Sequence, residues 1–132
     1  STIFAEKSLM ISADCAHGTN TNYPERHDAN HQVRLNHGPV LKHNANVRYA
    51  TDGLGAALVK LAAEKTSVPL QTFVSRSDMP CGSTIGPLAA ASTGIRTVDL
   101  GAPQLAMHSI REMCGSEDPA YLASLLTNLL QE

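Results

Sequence analysis

Short apolar runs alternate with stretches of helical period along this chain, and that alternation restricts its fold more than any other feature. Leu9–Ser12 reads as a buried strand that Asp14 ends. Pro39–Asn44 reads as another, with Val40 and Lys42 facing opposite to Leu41 and His43. Thr51 or Asp52 can cap a helix running to about Lys65, with Leu54, Leu58, Leu61 and Ala62 along one face. Pro69 breaks that period, and Leu70–Arg76 is the next strand. Asp78–Gly86 is a Gly/Ser/Thr turn opening a helix over Pro87–Thr93, which Gly94 stops. Ile95–Leu100 is a strand, Gly101–Leu105 a loop that delivers Met107-His108, and Ile110–Met113 a short helical turn. Asp118 caps a last helix, with Pro119 at its first position and Leu122, Leu125, Leu126, Leu129 and Leu130 as its buried stripe. Strands alternating with helices predict an α/β domain with at least part of its sheet parallel.

The 132 residues suffice for one domain with a real core. Ten basic and twelve acidic residues leave a net charge of −2, which argues against nucleic acid or an anionic membrane as partner. No apolar run approaches the roughly 18 residues of a membrane span, so a soluble, cytoplasmic protein without a signal peptide is expected. Cys15, Cys81 and Cys114 are widely spaced and form no CxxC pair, as expected of reduced thiols. The chain opens at Ser1 without a Met, and Ile3-Phe4-Ala5 reads as the middle of an element.

Chemistry concentrates first in Met10–His31, where a strand ending in Asp14 runs into a long irregular loop bearing His17, His27 and His31. A carboxylate at the C-terminal end of a strand is where an α/β protein places a metal or substrate, although an ordinary surface loop has the same pattern. His27-Asp28-Ala29-Asn30-His31 imitates a zincin helix, but it lacks an apolar face and its Asp is one methylene too short. Cys81, in the turn before the second helix, suits either a nucleophile or small-residue packing. Lys42 suits a surface charge and His108 a satisfied rim histidine. Singly, none of these positions requires a function.

Together they resemble one family. Ser12-Ala13-Asp14-Cys15-Ala16-His17, Asn22-Tyr23-Pro24-Glu25-Arg26-His27 and Asn30-His31 are similar, in order and spacing, to motifs of the aspartyl aminopeptidases. So are Gly38-Pro39-Val40-Leu41-Lys42 and Asn44-Ala45-Asn46-Val47-Arg48-Tyr49-Ala50-Thr51. Pro80-Cys81-Gly82-Ser83-Thr84-Ile85-Gly86-Pro87 and the run from Asp99 to Met113 are the most specific matches.

The resemblance implies part of an α/β/α sandwich of the zinc-exopeptidase (phosphorylase/hydrolase-like) type. It also implies an enzyme that releases N-terminal Asp or Glu from peptides, with two zinc ions activating a water. Asp14 and His108 would be metal ligands, one for each zinc. His17, Lys42, Tyr49, Cys81, Gly82 and Ser83 would contact substrate, with Lys42 pairing the acidic side chain. Asn20 stands where the family usually has a second His, leaving that role open, and His43 replaces an apolar residue; His31 is a further uncertain position.

The resemblance covers only the C-terminal portion of a catalytic domain. The segment supplying the bridging Asp, the catalytic Glu and further ligands is absent, as is the dimerisation domain through which the family forms homo-oligomeric dodecamers. The 132-residue chain is therefore expected to be inactive alone and to bind zinc weakly at most. Two other readings compete: a non-catalytic acidic-peptide-binding or assembly module, and a separate zinc site in the loop from His27 to His43.

Overall fold

The computed structural model describes residues 2–131. The elements run α1 (Thr2–Glu6), β1 (Leu9–Ala13), β2 (Ala16–His17), β3 (Val40–His43), α2 (Gly53–Thr66), β4 (Gln71–Val74), α3 (Gly86–Thr93), β5 (Arg96–Gly101), β6 (Pro103–Leu105), β7 (Met113–Cys114) and α4 (Asp118–Gln131). The main sheet has the order β1-β5-β3-β4, with β1/β5 and β3/β4 parallel and β3/β5 antiparallel. The expected α/β class with a partly parallel sheet is therefore found. No helix among the described residues is long and apolar enough to cross a membrane.

The alternation in β3 divides the interior. Leu41 enters a core with Ala56, Val59, Ala62, Ala63, Val98, Leu100 and Leu125, while Val40 joins a second cluster with Ala16, Val33 and Phe73. Asp52 caps α2 as expected, its carboxylate accepting from the Gly55 N–H at 2.6 Å. The buried face of α2 is not the expected one. Gly55, Ala56, Val59, Ala62 and Ala63 turn inward, whereas Leu54, Leu58 and Leu61 are exposed. Small residues let the helix lie close to β5: a Cβ on Gly55 would stand 2.6 Å from the Val98 methyl. The stripe on α4 holds from Leu122 to Leu129, but Leu130 faces outward.

Beyond the sheet, the pairing of β1 with β5 continues where loops were expected. Asp14 N–H donates to Leu100 O, Ala16 N–H to Ala102 O and Gly18 N–H to Gln104 O, at 2.8–3.0 Å. Gly101 permits this close passage, because a Cβ there would collide with the Asp14 carbonyl. The result is a second, three-stranded sheet, β2-β6-β7. Met113 accordingly lies in β7, paired with Leu105, and the expected helical turn over Ile110–Met113 is replaced by a turn followed by this strand. Backbone pairing across the chain overrode the local helical pattern there.

Asp118 differs from its expected capping role as well. Its fully buried carboxylate accepts from the backbone N–H groups of Asn36 (2.7 Å) and Gly38 (3.0 Å), tying the start of α4 to the loop before β3. Replacing Asp118 with Ala leaves the buried Gly38 N–H without a partner and releases that of the exposed Asn36. The expected cost is about 1–3 kcal/mol, seen as a lower urea midpoint at unchanged slope; a midpoint equal to that of the unchanged chain would contradict this account.

Candidate active site

A cavity of about 130 Å³ opens where the two sheets meet. Seven expected site residues, Asp14, His17, Lys42, Tyr49, Gly82, Ser83 and His108, line it. They come from five separate parts of the chain. Asp14 lies between β1 and β2, His17 ends β2, Lys42 projects from β3, and Tyr49 lies between β3 and α2. Gly82 and Ser83 precede α3, and His108 sits in the turn between β6 and β7.

Lys42 carries the main electrostatic feature. Its side chain is only 2% exposed, and its ammonium donates to Cys15 O at 2.9 Å and to Asp14 Oδ2 at 3.3 Å. The Asp14 carboxylate is 57% exposed and faces the cavity. An ammonium has three donors, so these bonds leave one free. The ammonium lies 5.4 Å from the centre of the Tyr49 ring, which packs edge-on against Phe73 with centroids 6.1 Å apart. Burial, then the Cys81 thiol beside it and the carboxylates of Asp99 and Asp14, drive the Tyr49 pKa well above its usual value. Tyr49 is therefore a neutral hydrogen-bond donor at physiological pH.

Burial lowers the pKa of His17, helped by the nearby His27, His108 and Lys42 and opposed by Asp14. His108 is exposed, and its backbone is left-handed at φ 69°, two residues after Ala106 at φ 53°. Glu112 Oε1 accepts from the His108 N–H at 2.5 Å and holds this turn. Left-handed backbone at non-glycine residues costs about 1–3 kcal/mol each; here it places the imidazole at the cavity.

The other expected positions lie outside the cavity. Cys81 lines a neighbouring cleft. His31 Nδ1 pairs with Asp28 at 2.7 Å. His27 Nε2 accepts from the Asn20 N–H at 3.1 Å, and Asn20 Oδ1 accepts from the Asn22 N–H at 2.9 Å. His43 is half-buried at the end of β3, where burial lowers its pKa and the charges of Lys60 and His31 lower it further.

A carboxylate and an imidazole at one cavity suit zinc as a partial donor set. Among the described residues, no group of three or more His, Cys, Asp or Glu side chains is arranged to hold a metal. A closed zinc site wants about four ligands, so these residues fit half a site and not a complete one.

Asp99 is the residue that the sequence reading missed. It is fully buried in β5, and its carboxylate accepts from the Ala50 N–H (2.6 Å) and the Thr84 hydroxyl (2.5 Å). It therefore ties the Tyr49 segment to the segment bearing Gly82 and Ser83. The available signal was a carboxylate set between Val98 and Leu100 in a strand, which must find partners when buried.

The family model for the aminopeptidase I zinc metalloproteases (M18) matches residues 1–129. A probable M18 family aminopeptidase 2 of Pseudomonas fluorescens is 56% identical over 92% of this chain and 28% of its own length. A probable aspartyl aminopeptidase of Ricinus communis is 57% identical over 88% of this chain and 24% of its own. The chain thus spans about a quarter of these relatives. A solved structure of the Ape4 and Nbr1 complex superposes with a TM-score of 0.93 at 51% identity, covering 95% of this chain and 24% of that one. The S. cerevisiae mApe1 dodecamer gives 0.87 at 37% identity, covering 99% and 28%.

The His27 contact predicts a pH dependence. Burial holds its pKa below the ordinary 6.5, with Glu25 partly opposing, and only the neutral ring can accept from Asn20. A histidine with a depressed folded pKa binds fewer protons folded than unfolded. The stability it contributes is complete above the unfolded value and falls as pH drops through the folded one. Urea unfolding is expected to show stability decreasing below about pH 6.5, with a shallower decrease in His27→Gln, whose amide oxygen can still accept. A slope identical in the two proteins would remove His27 from the explanation.

Proposed function

The chain belongs to the aminopeptidase I zinc metalloprotease (M18) family, and we propose that it forms one side of the active site of an aspartyl aminopeptidase. In this reading it is the C-terminal portion of the catalytic domain, and the enzyme removes Asp or Glu from the N-termini of peptides. The supporting observation is Lys42: a buried ammonium with one donor left, in the cavity that also holds Asp14 and His108. A carboxylate-bearing side chain is the ligand that best satisfies such a cation.

Asp14 and His108 would hold zinc together with ligands from outside these residues. Zinc, when bound, supplies polarisation of the scissile carbonyl and an activated water. Lys42 directs its third N–H to the substrate's side-chain carboxylate while Cys15 O and Asp14 fix its position. Tyr49, kept neutral, donates a hydrogen bond that orients the substrate. His17 is neutral above its lowered pKa and offers a hydrogen-bonding ring at the rim without adding charge. Ser83 and Gly82 shape the opposite wall. The general base is contributed from outside the chain. A homo-oligomer, a dodecamer as in the mApe1 neighbour, is part of the same proposal.

Lys42→Met in the complete polypeptide that carries this chain is the direct test. Loss of one charge-assisted bond predicts a fall of about 10- to 100-fold in kcat/KM for N-terminal Asp, with much less change for N-terminal Ala. Equal losses on both substrates would remove acid recognition from Lys42. Binding of acidic peptides without hydrolysis would favour the non-catalytic module instead. The 132-residue chain by itself should show no peptidase activity with added zinc; turnover by it would overturn the claim that essential groups lie elsewhere.

A further inference from the structure

Behind the Lys42 cavity lies a second cleft, of about 390 Å³, whose lining includes Asn44, Asn46, Arg48, Ser75, Arg76 and Cys81. Among the described residues, two arginines and no carboxylate line it. Arg76 is engaged by Asp78 and the Glu25 carbonyl. Tyr49 and Gly82 line the cavity, and their chain neighbours Arg48 and Cys81 line the cleft. These two segments therefore form the partition between the two spaces.

The partition is fastened twice. The Ser83 hydroxyl donates to Arg48 O at 3.1 Å. Beneath it, Asp99 accepts from Ala50 on one segment and Thr84 on the other. Asp99 has no room to shift, because the start of α3 lies directly on it: a Cβ on Gly86 would stand 2.4 Å from Asp99 Oδ2. The Asp99 N–H in turn donates to Thr51 Oγ1 at 3.0 Å, so the strand holds the Tyr49 segment at a second point.

We propose that Asp99 is a positioning residue which, by fastening this partition, sets how long an acidic side chain the cavity accepts. The proposal rests on the acid-releasing reading of the Lys42 cavity. With the partition closed, Tyr49 and Gly82 wall the cavity off from the cleft. With it loosened, a longer carboxylate reaches the arginine-bearing cleft.

The test uses the complete polypeptide and compares kcat/KM for N-terminal Glu with that for N-terminal Asp. Asp99→Ala removes both acceptors, and Thr84→Val breaks one of the two bonds while sparing Asp99, should the first variant fail to fold. Both are expected to raise the Glu-to-Asp ratio, by about tenfold for Asp99→Ala, the usual worth of one methylene in a fitted pocket. Asp99→Asn is expected to keep the ratio of the unchanged enzyme, because Thr84 can accept from the new amide while Ala50 donates to its oxygen. Adding Arg48→Ala to Asp99→Ala is expected to cancel the gain on Glu. Alkylation of Cys81 by iodoacetamide, followed by mass spectrometry, reads the partition without activity and should quicken in Asp99→Ala and Thr84→Val alone. Equal losses on Glu and Asp, or an unchanged Cys81 rate in both variants, would reduce Asp99 to a structural role and overturn the proposal. Failure of the unchanged enzyme to cleave either substrate would overturn the acid-releasing reading, and the length reading with it.

Discussion

Residues 9–18 run alongside residues 96–104, and the rest of the site depends on that pairing. It starts as the parallel β1/β5 ladder, continues through Asp14, Ala16 and Gly18 beyond the main sheet, and becomes the β2/β6 pair. Without it, Asp14 would end a strand and His108 would lie in a remote turn, ninety-four positions later. With it, both reach one cavity. Gly101 is the local condition, since any side chain there would push the two backbones apart. Burying so many backbone groups is possible only because each donor meets a carbonyl.

Among the described residues three charged side chains are buried on this frame, and each is satisfied differently. Asp118 uses two backbone donors to dock α4. Asp99 uses one backbone donor and one hydroxyl to fasten the cavity wall. Lys42 pairs with an exposed carboxylate and a carbonyl, which leaves it capacity to spare. Removing the partner of a buried charge is costly, so the first two are committed to the fold. Lys42 alone of the three is fixed while keeping a donor in hand, which is why the proposed acid recognition is placed on it.

The cavity is nevertheless one-sided. Lys42, Tyr49, His17 and the turn before α3, the groups proposed for recognition, line it, whereas no group of three or more possible metal ligands is found among the described residues. This division agrees with a chain that spans about a quarter of its relatives. In the proposed reading, recognition and metal chemistry are supplied by different stretches of polypeptide, and the stretch described here would hold chiefly the former.

The sequence by itself determined the order of most elements, the caps at Asp52 and Gly94, and the family. These depend on local period, capping chemistry and motif spacing, all of which are written along the chain. It also named seven of the residues that line the cavity, through the family's motifs. Tertiary structure decided which face of α2 is buried, because close approach to β5 favoured Gly55 and the alanines over larger leucines. It turned Met113 into a strand and made Asp118 a tether, because pairing and hydrogen-bond partners from distant segments outweighed local preference. It gave Asp99 its place behind Tyr49. A buried carboxylate announces that partners exist, but only the folded chain determines which donors reach it.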